Sequence, residues 1–238
     1  MCGRYVSPDQ AAIERAWSVH ARDIAPFSRN FNVVPSSTIP LLRLDAEEGG
    51  LELALARWGF IPHWWKQEKP PRLTHNARSE GAANKPMWRA PLSRARCLIP
   101  ALGWYEWQQV ERVDERTGEV KKAKQPHFIR LPSREPVCFA GLMSYWIAPN
   151  ADTGQITCSI LTHSAAESVA EVHERMPVVL PDDAHADWLD KKMNDGEEAI
   201  AFARNHAVLD FEHYAVSDQI NRPIGSDASL IEPVSGQG

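Results

Sequence analysis

The run RCLIPALGWYEW, residues 96–107, decides how this chain is read. It is a strand-like run ending at Gly103, followed by Glu106 between Tyr105 and Trp107. The same signature recurs in TIPLLRL (38–44), LELALARWGFI (51–61), HFIRL (127–131), VCFAGLMSYWI (137–147) and ITCSILT (156–162). Helical patterns lie outside these runs. SPDQAAIERAW (7–17) reads as a helix start, with Ser7 as cap, Pro8 in the first turn and Gln10 completing a capping box. In SAAESVAEVHERM (164–176), Ala165, Ala166, Val169, Val172 and Met176 fall at helical spacing, and Pro177 stops the pattern. Two more helices are expected in DDAHADWLDKKM (182–193), capped by Asp182 or Asp183, and GEEAIAFARNH (196–206). The charged stretch 111–126 turns at Thr117-Gly118 as a solvated hairpin or loop, and residues 214–233 are rich in turns. The sum is an α+β fold with a mostly antiparallel β core flanked by helices, in one domain spanning residues 1–238.

Composition narrows the function. The chain has 238 residues, 43% of them hydrophobic, and a net charge of −5. That is enough to bury a full core, and no apolar run reaches membrane-span length. The first residues lack a basic region followed by an apolar stretch, so a cytoplasmic protein with its own N-terminus is expected. Acidity overall argues against a generally basic nucleic-acid binder, but the charge is uneven. Residues 1–110 hold 14 Lys+Arg against 10 Asp+Glu, a net of +4, which leaves −9 for the remainder. A nucleic-acid site would be a local patch from the first half. Of the four cysteines, Cys97, Cys138 and Cys158 sit in apolar runs and read as small buried hydrophobes. No Cys–His cluster has metal-ligand spacing, so neither metal nor cofactor is expected.

Cys2 has no core-like neighbours in sequence. By position it is either an incidental small residue or, once Met1 is trimmed, a free 1,2-aminothiol. In that group an amine of pKa roughly 7.7–8.0 lies beside a thiol of roughly 8.5. Such a group condenses with an aldehyde: the amine forms a Schiff base and the thiol closes on it as a thiazolidine. HNARSEGAANKP (75–86) is either a polar surface loop or an anion site, with Arg78 as the charge and Ser79 as a donor. Glu106 is either an exposed alternate residue on a strand or a carboxylate raised by its aromatic neighbours for proton transfer. His173 is either a helix-terminal charge or a general acid/base beside Arg175. In RWGFIPHWW (57–65), Trp64 and Trp65 cannot both face inward on a strand, which leaves one to stack on a base.

Taken in order, MCGRY, NVVP, RWGFIPHWW, NARSE, RCLIPALGWYEW and HERMPVVL resemble the successive motifs of the SRAP (SOS response-associated peptidase) family. The resemblance is strongest over residues 1–180 and fainter into AVSDQIN (215–221). It implies recognition of abasic sites in single-stranded DNA, including junctions with duplex; the sequence gives no sign of oligomerisation, so a monomer is expected. It also implies a covalent thiazolidine crosslink through Cys2. Within the matched motifs, Cys2 corresponds to the nucleophile, Asn76 to an asparagine holding the N-terminal residue, and Glu106 to a proton acceptor. His173 corresponds to the acid that opens the sugar. Arg4, Arg78 and Arg175 correspond to phosphate-gripping arginines expected on one face. Asn32, Pro35, Trp64, Trp65, Ser79 and Thr162 fall in motifs lining the DNA groove. A thiol peptidase with His173 as base, or a non-covalent single-strand binder, are the alternatives. Leu102 stands where the family usually has an acidic residue, and no role is assigned to His75 or His163.

Overall fold

The run of residues 96–107 breaks in two at Leu102. Gly103 follows at φ +149, a conformation that side-chain-bearing residues rarely adopt. The computed structural model describes residues 2–19, 21, 24–45, 49–72, 74–114, 116–222 and 227–234. In chain order the strands and helices are β1 (Tyr5–Ser7), α1 (Gln10–Trp17), β2 (Asn30–Val33), β3 (Thr38–Leu44), β4 (Leu51–Trp58), β5 (Asn76–Arg78) and α2 (Pro86–Arg94). They continue with β6 (Arg96–Ala101), β7 (Gly103–Val113), β8 (Val120–Arg130), β9 (Val137–Ile147), β10 (Gly154–Ser164), β11 (Arg175–Pro177) and β12 (Val179–Leu180). The last are α3 (His185–Leu189), α4 (Gly196–Asn205) and β13 (Glu212–Ala215).

One sheet has the order β13-β8-β7-β1-β2. The other has the order β11-β10-β4-β3-β6-β9-β12, and a further pairing of β9 with β10 closes five of its strands into a barrel. The break at Leu102 hands the chain from the barrel to the open sheet. β10 pairs in parallel with β4 and β5, and every other pairing between named strands is antiparallel. β10 organises the upper edge. On one side its partner changes from β4 at Thr157–Cys158 to β5 at Ile160–Thr162. On the other it changes from β9 to β11, at Thr162–Ser164. Asn76 and Arg175 are thereby carried to the two flanks of Thr162.

Both sheets contribute to one apolar cluster, including Tyr5, Trp58, Trp104, Phe139, Ile160, Met176 and Phe211. Tyr5 packs edge-on against Trp58 and Phe139, and Trp104 against Phe139 and Phe211. A second cluster joins barrel strands to the helices through Leu42, Phe60, Trp88, Leu92, Trp188 and Ala199. Buried Arg96 ties that layer together. Its guanidinium donates to the carbonyls of Leu92, Trp188 and Asp190 and lies over the Trp188 ring. The last carbonyls of α2 thus gain a charged donor.

Four local expectations are corrected. Asp9 caps α1, accepting from the Ala12 N–H, while Ser7 is the last residue of β1. Residues 164–176 are not a helix: only Glu167–Val169 makes a 3-10 turn, and the chain then returns as β11 to pair with β10. Val169, Val172 and Met176 are buried and Ala165 and Ala166 partly so, but pairing with an open strand edge outweighs helical periodicity. Neither Asp182 nor Asp183 caps α3, whose N-cap is Ala184 with no side-chain bond. Cys2 is fully buried in the main cluster, packed by residues distant in sequence.

Gly103→Ala tests the handover between sheets. A Cβ there would collide with the Ile129 carbonyl oxygen and the Phe128 ring, on a backbone conformation already disfavoured for alanine. Urea unfolding is expected to show a loss of about 3 kcal/mol.

Candidate active site

The register of β1 places the chain's beginning. Tyr5 pairs with Trp104 and Val6 with Gly103, and the Tyr105 N–H donates to the Arg4 carbonyl at 3.0 Å. Extending this antiparallel register carries residues 2 and 3 alongside Glu106 and Trp107. Met1 lies outside the described residues. From the opposite side, β5 aims Asn76 at the same point, and its Nδ2 donates to the Cys2 carbonyl at 2.7 Å. His173, on the segment between the 3-10 turn and β11, brings Nε2 to 3.9 Å from Glu106 Oε2. Four residues far apart in sequence therefore meet: Cys2, Asn76, Glu106 and His173.

Electrostatics follow from burial. Glu106 retains 2% of its exposure. Its carboxyl is pushed up to about 7, chiefly by desolvation, while the charge of the terminal amine opposes the rise. The Cys2 thiol is also raised, by burial first and by Glu106 second, so it is protonated at neutral pH. His173 is lowered, again mainly by burial. The Arg175 backbone N–H donates to His173 Nδ1 at 2.9 Å, so the neutral ring carries its proton on Nε2, the nitrogen facing Glu106. Asn76 Oδ1 and Ser79 Oγ are buried and find no hydrogen-bond partner among the described residues.

The surrounding residues fall into three groups. Arg4 donates to Asn32 Oδ1 at 2.6 Å and to the Asn221 carbonyl at 3.3 Å, and Asn32 reaches the Arg222 carbonyl. Those tail residues were outside the sequence-derived set, although AVSDQIN marked the region. Arg78 pairs with Thr162 across β5 and β10, and the Ser79 N–H donates to the Thr162 carbonyl. Arg175 grips both Glu80 oxygens at 2.8 and 2.9 Å and also donates to Thr162, holding the Glu80 carboxyl down to about 2. Trp64 and Trp65 sit in a turn and not on a strand. Trp64 is half exposed at 47%, while Trp65 is fixed by bonds to the Lys69 carbonyl and from the Trp146 indole. Pro35 is half-buried beside Ser36, whose hydroxyl accepts from Arg57. His75 lies edge-on to Trp58, and buried His163 Nε2 has no partner among the described residues.

A carboxyl that is neutral when folded has a measurable signature. Between its ordinary value of 4.5 and about 7, the unfolded chain releases the Glu106 proton and the folded chain keeps it. The contribution of Glu106 to stability must then fall as pH rises through that window, by about 3 kcal/mol, and level off above it. Chemical denaturation at pH 4.5 and pH 8 is expected to show this contribution as the difference in pH dependence between the wild type and Glu106→Gln, because the buried histidines with lowered values add the opposite slope to both.

Comparison with known proteins agrees with this architecture. A family model described as SOS response associated peptidase (SRAP) matches residues 1–223. The Bacillus subtilis (strain 168) protein named abasic site processing protein YoqW is 33% identical over 234 residues, covering 98% of this chain and 99% of the relative. The Gallus gallus protein named abasic site processing protein HMCES is 30% identical over 234 residues, covering 86% of this chain and 66% of the relative. A crystal structure of a Bacteroides thetaiotaomicron protein has the same fold, with a TM-score of 0.79 at 18% identity over 99% of this chain and 100% of that one. The mixed sheet-and-barrel core, the order of the motifs and the match over nearly the whole length lead to one conclusion: this chain belongs to the SRAP family.

Proposed function

We propose that this chain recognises abasic sites in single-stranded DNA and bonds to them through Cys2 once Met1 has been removed. The observation that carries the reading is the convergence of Asn76, Glu106 and His173 on Cys2. The names of the B. subtilis and G. gallus relatives add support. The reaction begins when the α-amine of Cys2 attacks the aldehyde carbon of the ring-opened deoxyribose. Loss of one water leaves an imine. The Cys2 sulfur then bonds to the imine carbon as its proton passes to nitrogen, which closes a thiazolidine ring. The net change is condensation with release of one water.

Each residue has a part. Asn76 Nδ2 holds the Cys2 carbonyl, and its Oδ1 is left to accept from the amine or from a sugar hydroxyl. Glu106, titrating near neutrality, takes a proton from the amine and returns it to the departing water. His173 offers its Nε2 proton to the sugar ring oxygen during opening. Burial keeps the thiol protonated, so the amine reacts first. Arg4 and Arg78 bind flanking phosphates, with Ser79 Oγ as a further donor. Arg175 joins them by exchanging Glu80 for a phosphate. Exposed Trp64 stacks a base, and Asn32, Pro35, Trp65 and Thr162 shape the groove. A thiol peptidase would need His173 directed at the thiol, whereas the contact observed for its Nε2 is with Glu106. Abasic-site crosslinking is therefore preferred.

Intact mass after incubation with a single-stranded oligonucleotide carrying one abasic site is the direct test. A heat-stable adduct is expected, equal to protein lacking Met1 plus oligonucleotide less one water. It should be absent in Cys2→Ser and in protein with a fixed N-terminal extension. Loss of Met1 with no adduct would overturn the proposal. Crosslinking should also slow roughly 10²-fold in Glu106→Gln and in His173→Ala. The wild-type rate should rise with pH through about 7, as Glu106 becomes able to accept a proton.

A further inference from the structure

Behind Glu106 lies a second group of titratable side chains that the chemistry above does not use. Glu106 stands opposite His127 in the β7–β8 ladder. Directly opposed residues of an antiparallel pair share a face, with Cβ atoms roughly 4.5–5.5 Å apart. His127 Nδ1 is 3.1 Å from His213 Nδ1, and His213, opposite Ile129 on β13, lies on that same face. His213 Nε2 in turn is 3.2 Å from Glu171 Oε1. Glu171 is two residues before His173, in the segment that reaches back to Glu106. This segment, residues 170–174, is clasped to the open sheet twice and in opposite senses. An imidazole of the segment meets a carboxylate of the sheet, and a carboxylate of the segment meets an imidazole of the sheet.

Two ring nitrogens 3.1 Å apart cannot both carry protons: one donates and the other accepts. His213 also needs a proton on Nε2 to bond Glu171. Neutral His213 therefore accepts from His127, and protonated His213 donates from both nitrogens. Burial and the neighbouring His213 hold His127 below the ordinary imidazole value, and the Glu171 carboxylate 3.2 Å from His213 Nε2 is the counter-charge the geometry offers to a proton held by the pair. The groups facing the pair are Glu106 from β7 and Glu171 and His173 from the segment. Further along the face, Arg112 is engaged by Gln125 and Asp218. Arg130 with Glu212, and Tyr214, occupy the opposite face by strand alternation.

We propose that His127, His213 and Glu171 are positioning residues: the histidine pair takes up one proton rather than two, and the resulting His213–Glu171 ion pair holds the segment, and with it His173, against Glu106. The inference rests on the roles given above to Glu106 and His173. Protonation of the pair tightens the clasp, and deprotonation leaves a weaker neutral hydrogen bond.

Imidazole 15N NMR of the DNA-free protein, recorded against pH, tests the clasp without any reaction. In the wild type, His127 and His213 are expected to gain one proton between them at a shared midpoint. Glu171→Gln should lower that midpoint by about one pH unit, through loss of the facing charge. It should also move the His173 ring resonances, although the side chain at position 171 is directed at His213 and not at that ring. Independent titration of two protons, or a His173 ring indifferent to Glu171→Gln in a folded variant, would overturn the proposal. The reactive readout is the maximal crosslinking rate at saturating DNA. It should fall about tenfold in Glu171→Gln with DNA affinity unchanged, and Glu171→Asp should recover part of it. An unchanged maximal rate would likewise count against the clasp. Coupled titration in a wild type that forms no adduct would support the clasp and remove the chemistry assigned to Glu106.

Discussion

The pairing of Tyr5 with Trp104 is the contact on which the rest of the structure depends. Both side chains are fully buried in the cluster shared by the two sheets, so the register cannot slip without exposing large aromatic surface. A slip of one residue would also move Cys2 off Asn76 and Glu106. Gly103, adjacent in the same ladder, lets the chain pass from barrel to open sheet against the Phe128 ring. A backbone register and a glycine together set where the Cys2 thiol, the Asn76 amide and the Glu106 carboxyl meet.

That placement carries an electrostatic cost, which shapes the chemistry. Taking Glu106 and Cys2 out of water raises both, so at neutral pH the thiol is protonated and the carboxyl stands near its midpoint. Charge is left at the rim, where Arg175 and Glu80 form a two-point ion pair and Arg4 is steadied by Asn32 and a tail carbonyl. A buried carboxyl poised to exchange a proton, with charge held at the rim, is the arrangement on which the proposed chemistry draws. The reciprocal contacts of His173 with Glu106 and Glu171 with His213 extend this order to a segment bounded by a 3-10 turn and a three-residue strand.

Much of the local structure was legible in residue patterns. TIPLLRL and VCFAGLMSYWI are strands β3 and β9 at the boundaries read from them, because their apolar runs suit strands buried on both faces over Ile39–Leu42 and Val137–Leu142. The buried state of Cys97, Cys138 and Cys158 was equally plain. Residues 164–176 misled, because their apolar spacing satisfies a helix while their neighbours in space offer an open strand edge. The cap of α1 moved from Ser7 to Asp9 because Ser7 already belongs to a strand paired with β2. His127 escaped notice, yet a hairpin folded about Arg116 and Thr117 places residue 127 opposite 106.

The sequence by itself determined the alternation of strands and short helices, which side chains were candidates for the site, and the family. These reside in local pattern, side-chain chemistry and motif order. Tertiary structure alone decided that Cys2 is core, that Glu106 titrates near neutrality, that Arg175 is bound to Glu80 and that two histidines share a hydrogen bond. Each of these is a property of residues tens of positions apart. Desolvation and pair electrostatics depend on what surrounds a group in space, which no local window of sequence contains.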